Sequence, residues 1–401
     1  MRVGTTVVRA VNGLTARWAA ASEGGTAFSA AGVWPLLAFL ADGADGPARD
    51  ELAAALGLPA EEAAGAAREL LAGMAGMSGL DTALGVWTQR TLELREAWAA
   101  GLPADTHGVL TGDPAADREA LDAWAVRRTG GLIDRMPVAV DQSTELVLAS
   151  ALAMRTRWLA PFEEWPLQTA YEPWAAVERL GLRRSSVLLD RIGVADTPDG
   201  FVTELKVLGG NALDVHLLLG EERMTPGQVL GAGLGILDGT HTVVPGGRLP
   251  YGEPGPGVSV EKVRCERPQQ PRLDVTTVAF DMTASHDLLE LHRLFGLTTA
   301  RDASQGHFPG VSDFPLAVGS AEQATMAKFG ALGFEAAAVT AFGMAGAGAP
   351  PPRRHVTTEI RAAFDRPFGF LALHRHSRLV LAAGWVTDPL PFPTYSWEDD
   401  Q

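Results

Sequence analysis

A run of small side chains close to the C-terminus is the feature that most limits the fold of this chain. Gly333 and Phe334 lead into Glu335-Ala336-Ala337-Ala338-Val339-Thr340-Ala341, and a stretch of glycine, alanine and proline follows. Alanine is the best helix former, so the run taken alone favours a turn of helix. Its place beside a stretch of flexible composition favours a different interpretation, in which a mobile segment carries side chains slim enough to pass between two existing strands.

The periodicity of apolar residues predicts helices early in the chain and strands late. Leucine, alanine and charged residues recur every three to four positions over Arg49 to Leu56 and Ala60 to Leu71, which predicts two consecutive helices. Leu146 to Met154 is an apolar run typical of a strand buried on both faces. Val202 to Leu208 alternates like a half-buried strand, and Gly209-Gly210-Asn211 predicts a hairpin turn from it into Leu213 to Leu219. Phe368 to Leu373 and Leu379 to Val386 predict a second, apolar pair of strands. This segregation indicates an α+β fold.

Short motifs recur along the chain in a specific order. They are Phe28-Ser29-Ala30-Ala31-Gly32-Val33, Gly43 to Gly46, Arg157-Trp158 with Pro161-Phe162, Phe308 to Val311, and Phe364 to Phe370. With the run after Gly333, these motifs resemble the serpin family of serine protease inhibitors, and the chain is similar to its bacterial-type members. The resemblance covers nearly the whole chain. It implies N-terminal helices, the first beginning at Asn12, packed on a large central β-sheet, with further sheets and an exposed C-terminal reactive loop at about residues 331–358.

Composition favours one serpin-like domain over residues 1–401. Hydrophobic residues make up 46% of the chain, and no linker or charge run divides it. The net charge of −15 argues against nucleic acid or an anionic membrane as a partner, since both attract a basic surface. We expect a monomer. Arg9 interrupts the apolar N-terminal stretch, so we expect no signal peptide and favour the cytoplasm, although many serpins are extracellular.

No motif of an enzyme, cofactor site or metal site stands out. Gly231-Ala232-Gly233-Leu234-Gly235 resembles a dinucleotide loop but lacks the final glycine of that fingerprint, where Ile236 stands. His374-Arg375-His376 has no further histidine or cysteine nearby and fits a solvated hairpin turn better than a metal site. We therefore expect no catalytic residues, no cofactor and no metal.

The resemblance implies a mechanism that uses the loop itself. In inhibitory serpins, a serine or cysteine protease cleaves the reactive loop and becomes covalently attached to it. The cut loop then inserts into the central sheet as a new strand and distorts the protease before the acyl-enzyme is hydrolysed. The hinge that enters first is Gly333, Phe334, Glu335, Ala336, Ala337, Ala338, Val339 and Thr340.

The family's usual spacing from Gly333 places the scissile bond between Ala347 and Gly348. Small residues before that bond suit the shallow pocket of elastase-like or subtilisin-like proteases. The loop beyond it is long and contains Pro350-Pro351-Pro352. Arg353-Arg354 offers an alternative bait for a trypsin-like protease, although a solvated loop is the simpler interpretation of those arginines.

The hinge departs from the inhibitory pattern. Ala331-Leu332 stands where the family usually has an acidic pair, and Phe334 stands where it has a small Thr or Ser. The resemblance predicts that Phe334 is exposed in the uncut protein and faces the packed side of the sheet on insertion. Overpacking by its ring would then cost roughly 1–3 kcal/mol, enough to slow insertion.

The shutter, where strands of the sheet part, also departs from the family. Ser29 is kept, but Gly32 replaces a second Ser, Ser150 an Asn, and Glu322 a His. Trp158, at the breach where insertion begins, is kept. Two hypotheses therefore remain: a suicide inhibitor of proteases, favoured by the slim hinge, and a non-inhibitory protein that binds a small molecule or partner, with Phe334 lining its pocket.

Overall fold

The structure, a computed structural model, describes residues 3–104, 106–136, 138, 140–141, 144–302, 304–334 and 355–393. The helices in these residues are α1 (Thr5–Ala21), α2 (Ala30–Gly43), α3 (Gly46–Leu56), α4 (Ala60–Ala75), α5 (Glu96–Gly101), α6 (Pro114–Thr129), α7 (Pro226–Asp238) and α8 (His292–Phe295). None of them is long and apolar enough to cross a membrane.

The strands follow the same numbering along the chain. Those of the first half are β1 (Thr26–Phe28), β2 (Leu80–Gln89), β3 (His107–Leu110), β4 (Leu146–Met154), β5 (Thr156–Arg157), β6 (Glu163–Leu167), β7 (Arg179–Ser186), β8 (Ile192–Thr197) and β9 (Gly200–Val207). Those of the second half are β10 (Leu213–Gly220), β11 (Val243–Pro245), β12 (Gly252–Gly255), β13 (Val258–Cys265), β14 (Arg272–Val278), β15 (Phe280–Asp287), β16 (Ser320–Phe329), β17 (Gly333–Phe334), β18 (His355–Ala363), β19 (Phe368–His374) and β20 (Leu379–Val386).

Most helices that the sequence predicts are present in the structure. Helices α3 and α4 match the two predicted segments, and the chain turns between them at Gly57, whose φ of 68° suits glycine. Asn12 does not begin the first helix, because α1 already begins at Thr5. The glycine-rich segment at 231–235 lies inside α7, which excludes a dinucleotide loop there.

Three sheets organise the described residues. The central sheet has the order β3-β2-β4-β16-β17-β5, with β15 also paired to β16. The second sheet runs β1-β20-β19-β10-β9-β8-β11 and the third β12-β13-β18-β14-β7-β6. This mixed architecture of helices on large sheets confirms the predicted α+β fold.

The central sheet is covered on both faces, which explains why β4 is buried at every position. On one face, called here the inner face, α2 packs against β2 and β4. On the other, the outer face, Leu121 and Trp124 of α6 pack with Val147 and Ala149 of β4. Side chains of a strand point alternately to the two faces, so each face of β4 receives every second residue.

Strand β9 is more buried than its sequence predicts. Among its residues only Phe201 is exposed, and Lys206 is partly exposed. The expectation of a half-buried strand is wrong because a third layer covers the second sheet, where the Thr203 hydroxyl donates to the Pro256 carbonyl at 2.7 Å. The hairpin between β9 and β10 and the hairpin between β19 and β20 form as predicted.

Candidate functional site

Strand β17 places the start of the predicted hinge at the opening of the central sheet. Gly333 pairs with Arg157 of β5, and Phe334 pairs with Thr156 of β5 and with Phe329 of β16. The described chain resumes at His355, so Glu335, Ala336, Ala337, Ala338, Val339, Thr340, Ala347 and Gly348 lie outside the described residues. The first two hinge residues thus already form a strand between β16 and β5.

Trp158 and Phe162 hold the tight turn that leads from β16 into β17. The Trp158 indole nitrogen donates to the Gly330 carbonyl, and its backbone N–H donates to Leu332, both at 2.9 Å. The backbone N–H of Phe162 donates to the carbonyl of Ala331 at 2.9 Å. The residue predicted to mark the breach therefore fixes the direction in which the hinge leaves β16.

A glycine is required at position 333 because the backbones of β17 and β5 lie very close together there. A Cβ built on this residue would lie 2.1 Å from the carbonyl oxygen of Thr156, a distance that no substitution tolerates without moving the strand. Glycine here lets β17 come into hydrogen-bonding distance of β5.

Phe334 is buried, which corrects the expectation of an exposed hinge residue. Its exposed fraction is 2%, and its ring centroid lies 6.3 Å from that of Phe370 in the second sheet. Phe370 in turn stacks on Phe280 at 5.3 Å, and Phe280 stacks on Phe329 at 5.4 Å. The turn after β16 directs Phe334 into this aromatic cluster, so its ring fills space in the uncut protein and need not displace packed atoms later.

A second group of residues lies on the inner face, between β4, β16 and the start of α2. The amide oxygen of Gln323 accepts from the backbone N–H of Ser29 at 2.8 Å, and its amide nitrogen donates to the Ser29 carbonyl at 2.7 Å. The same nitrogen donates to the hydroxyl of Ser150 at 3.3 Å. A Cβ on Gly32 would lie 3.4 Å from the side chains of Ser29, Ser150 and Gln323. The structure thus brings Ser29, Gly32 and Ser150 together on the inner face.

Gln323, and not Glu322 as predicted, is the residue of β16 that faces Ser29 and Ser150. In β16 the odd-numbered residues face inward, since Gln323 is opposite Ser150, while Glu322 is opposite Ala149 and faces outward. The prediction was therefore wrong by one residue, which moves a side chain to the opposite face of a sheet. Sequence reasoning missed Gln323, although the inward position of Ser150 would have identified it once the parallel register was known.

Glu322 lies on the outer face beside other carboxylates. Its exposed fraction is 7%, and its register partner on β15 is Asp287. Burial, together with the charges of Asp287 and Glu290, raises the pKa of Glu322 to about 8. The carboxyl is therefore protonated in the folded protein at pH values where it is ionised in the unfolded chain.

The other polar and charged groups among the described residues do not form a recognisable active site. No group of three or more His, Cys, Asp or Glu that could hold a metal ion occurs within the described ranges. His374, predicted to lie in a solvated turn, is the last residue of β19. Its Nδ1 is hydrogen-bonded to the Ser377 hydroxyl at 2.8 Å. The features that stand out at the opening of the sheet are a strand, a turn and a hydrogen-bonded junction.

The burial of Phe334 predicts a large loss of stability on truncation. Phe334→Thr should lower the free energy of unfolding of the uncut protein by about 3 kcal/mol, because large-to-small changes at buried aromatic positions leave a cavity. Urea unfolding measures the change. Leu332→Ala, at a partly exposed position in the same turn, is the matched control and should change stability much less. Equal effects of the two substitutions would show that the Phe334 ring is not packed as described.

The raised pKa of Glu322 predicts that its contribution to stability falls as the pH rises. Between pH 4.5 and about 8 the folded state holds a proton that the unfolded state has lost, so this group favours folding at low pH and loses that contribution as the pH passes 8. Glu322→Gln should be more stable than the native chain at pH 8.5, with a much smaller difference at pH 5. Urea midpoints at both pH values test this. Glu62→Gln, on the exposed face of α4, is the control, and the same pH dependence in that variant would contradict the assignment.

Comparisons with known proteins agree with this geometry. A model of the family described as Serpin (serine protease inhibitor) matches residues 11–174. Putative serpin-Z6C of Oryza sativa subsp. japonica is 28% identical over 422 aligned residues, covering 95% of this chain and 97% of the relative. This relative comes from rice, so it gives no support to the bacterial type that the sequence suggested.

Solved structures share the fold. The thermophilic serpin Tengpin in its native state has a TM-score of 0.74 at 15% identity, and the match covers 97% of this chain and 95% of the Tengpin chain. Serpin48, a highly specific serpin of the insect Tenebrio molitor, has a TM-score of 0.68 at 17% identity, and the match covers 95% of this chain and 98% of Serpin48. These structures show that the chain has the serpin fold, and the family model and the near full-length relative show that its sequence is similar to serpins, which are protease inhibitors and not enzymes.

Proposed function

We propose that this chain is a suicide inhibitor of serine or cysteine proteases, which traps its target by inserting the cleaved reactive loop into the central sheet. The observation that supports the proposal most is the position of β17 in the central sheet. Gly333 and Phe334 lie between β16 and β5, at the end of the sheet where β4 and β16 are not paired with each other. A cut loop would enter the sheet from this end.

An inserted strand can replace the direct pairing of β4 with β16 by pairing with both of them. The two strands pair in parallel from Ser320 and Val147 to Thr325 and Leu152. A strand that continues from β17 would run antiparallel to both neighbours and would replace one parallel ladder with two antiparallel ones. Antiparallel pairing is slightly more stable per residue, and the number of ladders increases. The exchange therefore favours the inserted state.

The register of β17 assigns faces to the hinge residues. Phe334 is opposite Thr156, so continuing the strand puts Ala336 opposite Met154 and Ala337 opposite Ala153. Met154 belongs to the core on the inner face, while Ala153 points to the outer face. Ala336 would therefore enter the core on the inner face, which suits its small side chain, whereas the side chain of Ala337 would point to the outer face.

Insertion would next reach Gln323. Its amide group bridges β16 to Ser29 at the start of α2 and to Ser150 on β4. The contact to Ser150 crosses the junction that must open, while both contacts to Ser29 can stay with β16. The 3.3 Å bond to a neutral hydroxyl is a weak restraint of about 0.5–1.5 kcal/mol, so the shutter changes remain compatible with opening.

The burial of Phe334 supports inhibition over the alternative of a ligand-binding protein. The alternative needs the ring to line a pocket, but the ring packs against Phe370 and is 2% exposed. We propose Ala347–Gly348 as the scissile bond, and elastase-like or subtilisin-like enzymes as targets, because small residues before the bond suit a shallow pocket.

The proposal is tested by the products formed with elastase and subtilisin. The native chain should give an SDS-stable covalent complex with at least one of these proteases. Ala336→Arg should instead be cleaved as a substrate without forming the complex, because a charged side chain would have to enter the inner core.

The matched control is Ala337→Arg, which adds the same side chain one residue further on, toward the outer face. It should keep most of the complex formation. Cleavage of the native chain within residues 335–354 by both proteases, with no complex, would refute inhibition of these targets by insertion. Equal behaviour of the two arginine variants would refute the register.

A further inference from the structure

A cavity on the outer face of the central sheet has the features of a ligand site. It has a volume of about 510 Å³ and lies between the edge strand β3 and helix α6. Its walls include Trp87, Trp124, His107, Arg127 and Arg128. The volume is within the range of small-molecule pockets. None of these residues takes part in the sheet opening described above.

Two glycines shape the floor of this cavity. A Cβ on Gly108, the register partner of Trp87 on β3, would lie 2.5 Å from the Trp87 ring. A Cβ on Gly85, two residues before Trp87, would lie 2.9 Å from the indole nitrogen. Glycine weakens a strand, and here it leaves the space in which the indole of Trp87 lies over β2 and β3.

A second indole stands against the first. The rings of Trp87 and Trp124 are perpendicular, with their centroids 6.4 Å apart. Together they form a floor and a wall of aromatic surface, against which a flat ring can pack face-on to one indole and edge-on to the other.

The six-membered ring of Trp87, and not its indole nitrogen, is the part that lies on the cavity side. Its carbon atoms lie over Gly108, which lines the cavity, whereas the indole nitrogen lies over Gly85 and is itself buried without an acceptor among the described residues. The Trp87 surface offered to a ligand is therefore apolar and aromatic.

The charges at the mouth of the cavity are positive, against a chain whose net charge is −15. Arg127 and Arg128 are consecutive residues in the last turn of α6, and both line the cavity with exposed side chains. His107 adds no positive charge at neutral pH, because burial lowers the pKa of its imidazole, whose Nε2 is hydrogen-bonded to the Thr88 hydroxyl at 2.7 Å. Guanidinium groups bind carboxylates and sulfonates through charge-assisted hydrogen bonds.

From this combination we infer that the cavity between β3 and α6 binds a small aromatic anion, such as an aryl carboxylate or sulfonate. The aromatic ring packs on Trp87 and Trp124, and the acidic group meets the arginines of α6. The test of this site does not depend on the proposed inhibitory function, because, in the described part of the chain, none of its residues pairs with β17 or bridges β4 to β16 by a hydrogen bond.

The experiment uses two fluorescent probes of similar shape on the intact full chain. 8-Anilinonaphthalene-1-sulfonate carries the negative charge, and N-phenyl-1-naphthylamine is its uncharged counterpart. The native chain should bind the sulfonate saturably at one site, with quenching of tryptophan fluorescence. Arg127→Ala should weaken sulfonate binding about 10-fold, the effect of losing about 1.4 kcal/mol from a charge-assisted hydrogen bond, and should leave the uncharged probe unchanged.

Two further variants make the result decisive. Arg118→Ala removes the same charge from an exposed position of α6 that does not line the cavity, and it should bind the sulfonate like the native chain. Gly108→Ala should displace the Trp87 ring and weaken both probes, with an unchanged circular dichroism spectrum as the check on folding. Equal affinities of Arg127→Ala and Arg118→Ala for the sulfonate would overturn the proposal, as would equal loss of both probes in Arg127→Ala.

Discussion

The parallel pairing of β4 with β16 is the contact on which the rest of this account depends. It joins two long strands that are buried on nearly every position, and it ends at Thr325 and Leu152. Beyond that point β17 lies beside β16 in place of β4. The sheet is therefore continuous where β4 pairs with β16, called here its lower part. At the other end, called its upper end, the first two residues of the hinge already separate β16 from β5.

Two sets of interactions hold this arrangement, and they differ in kind. At the upper end, aromatic packing of Phe334 and the hydrogen bonds of Trp158 fix the hinge without closing the sheet below it. At the middle, Gln323 ties β16 strongly to Ser29 and only weakly across the junction to Ser150. Because the bonds to Ser29 stay on one side of the junction, opening it breaks the backbone ladder of β4 and β16, which an inserted strand replaces, but only one of these side-chain hydrogen bonds.

The sequence predicted those parts of the fold that depend on local patterns. The helices at 49–56 and 60–71, the buried strand β4 and the late hairpins follow from periodicity and turn residues. Gln323 was missed because β16 is buried on both faces, so its sequence does not reveal which residues point to α2. The burial of Phe334 was missed because it depends on a partner in another sheet, Phe370, and not on its neighbours in the chain.

The central claim, that the sheet gains stability when the loop enters it, is tested most directly by the thermal midpoint after cleavage. The chain is cut by elastase within residues 335–354, and intact and cut proteins are compared by calorimetry. A completed sheet adds several hydrogen bonds of about 0.5–1.5 kcal/mol each, so the account predicts a midpoint raised by roughly 10 °C or more. An equal or lower midpoint for the cut protein would contradict it.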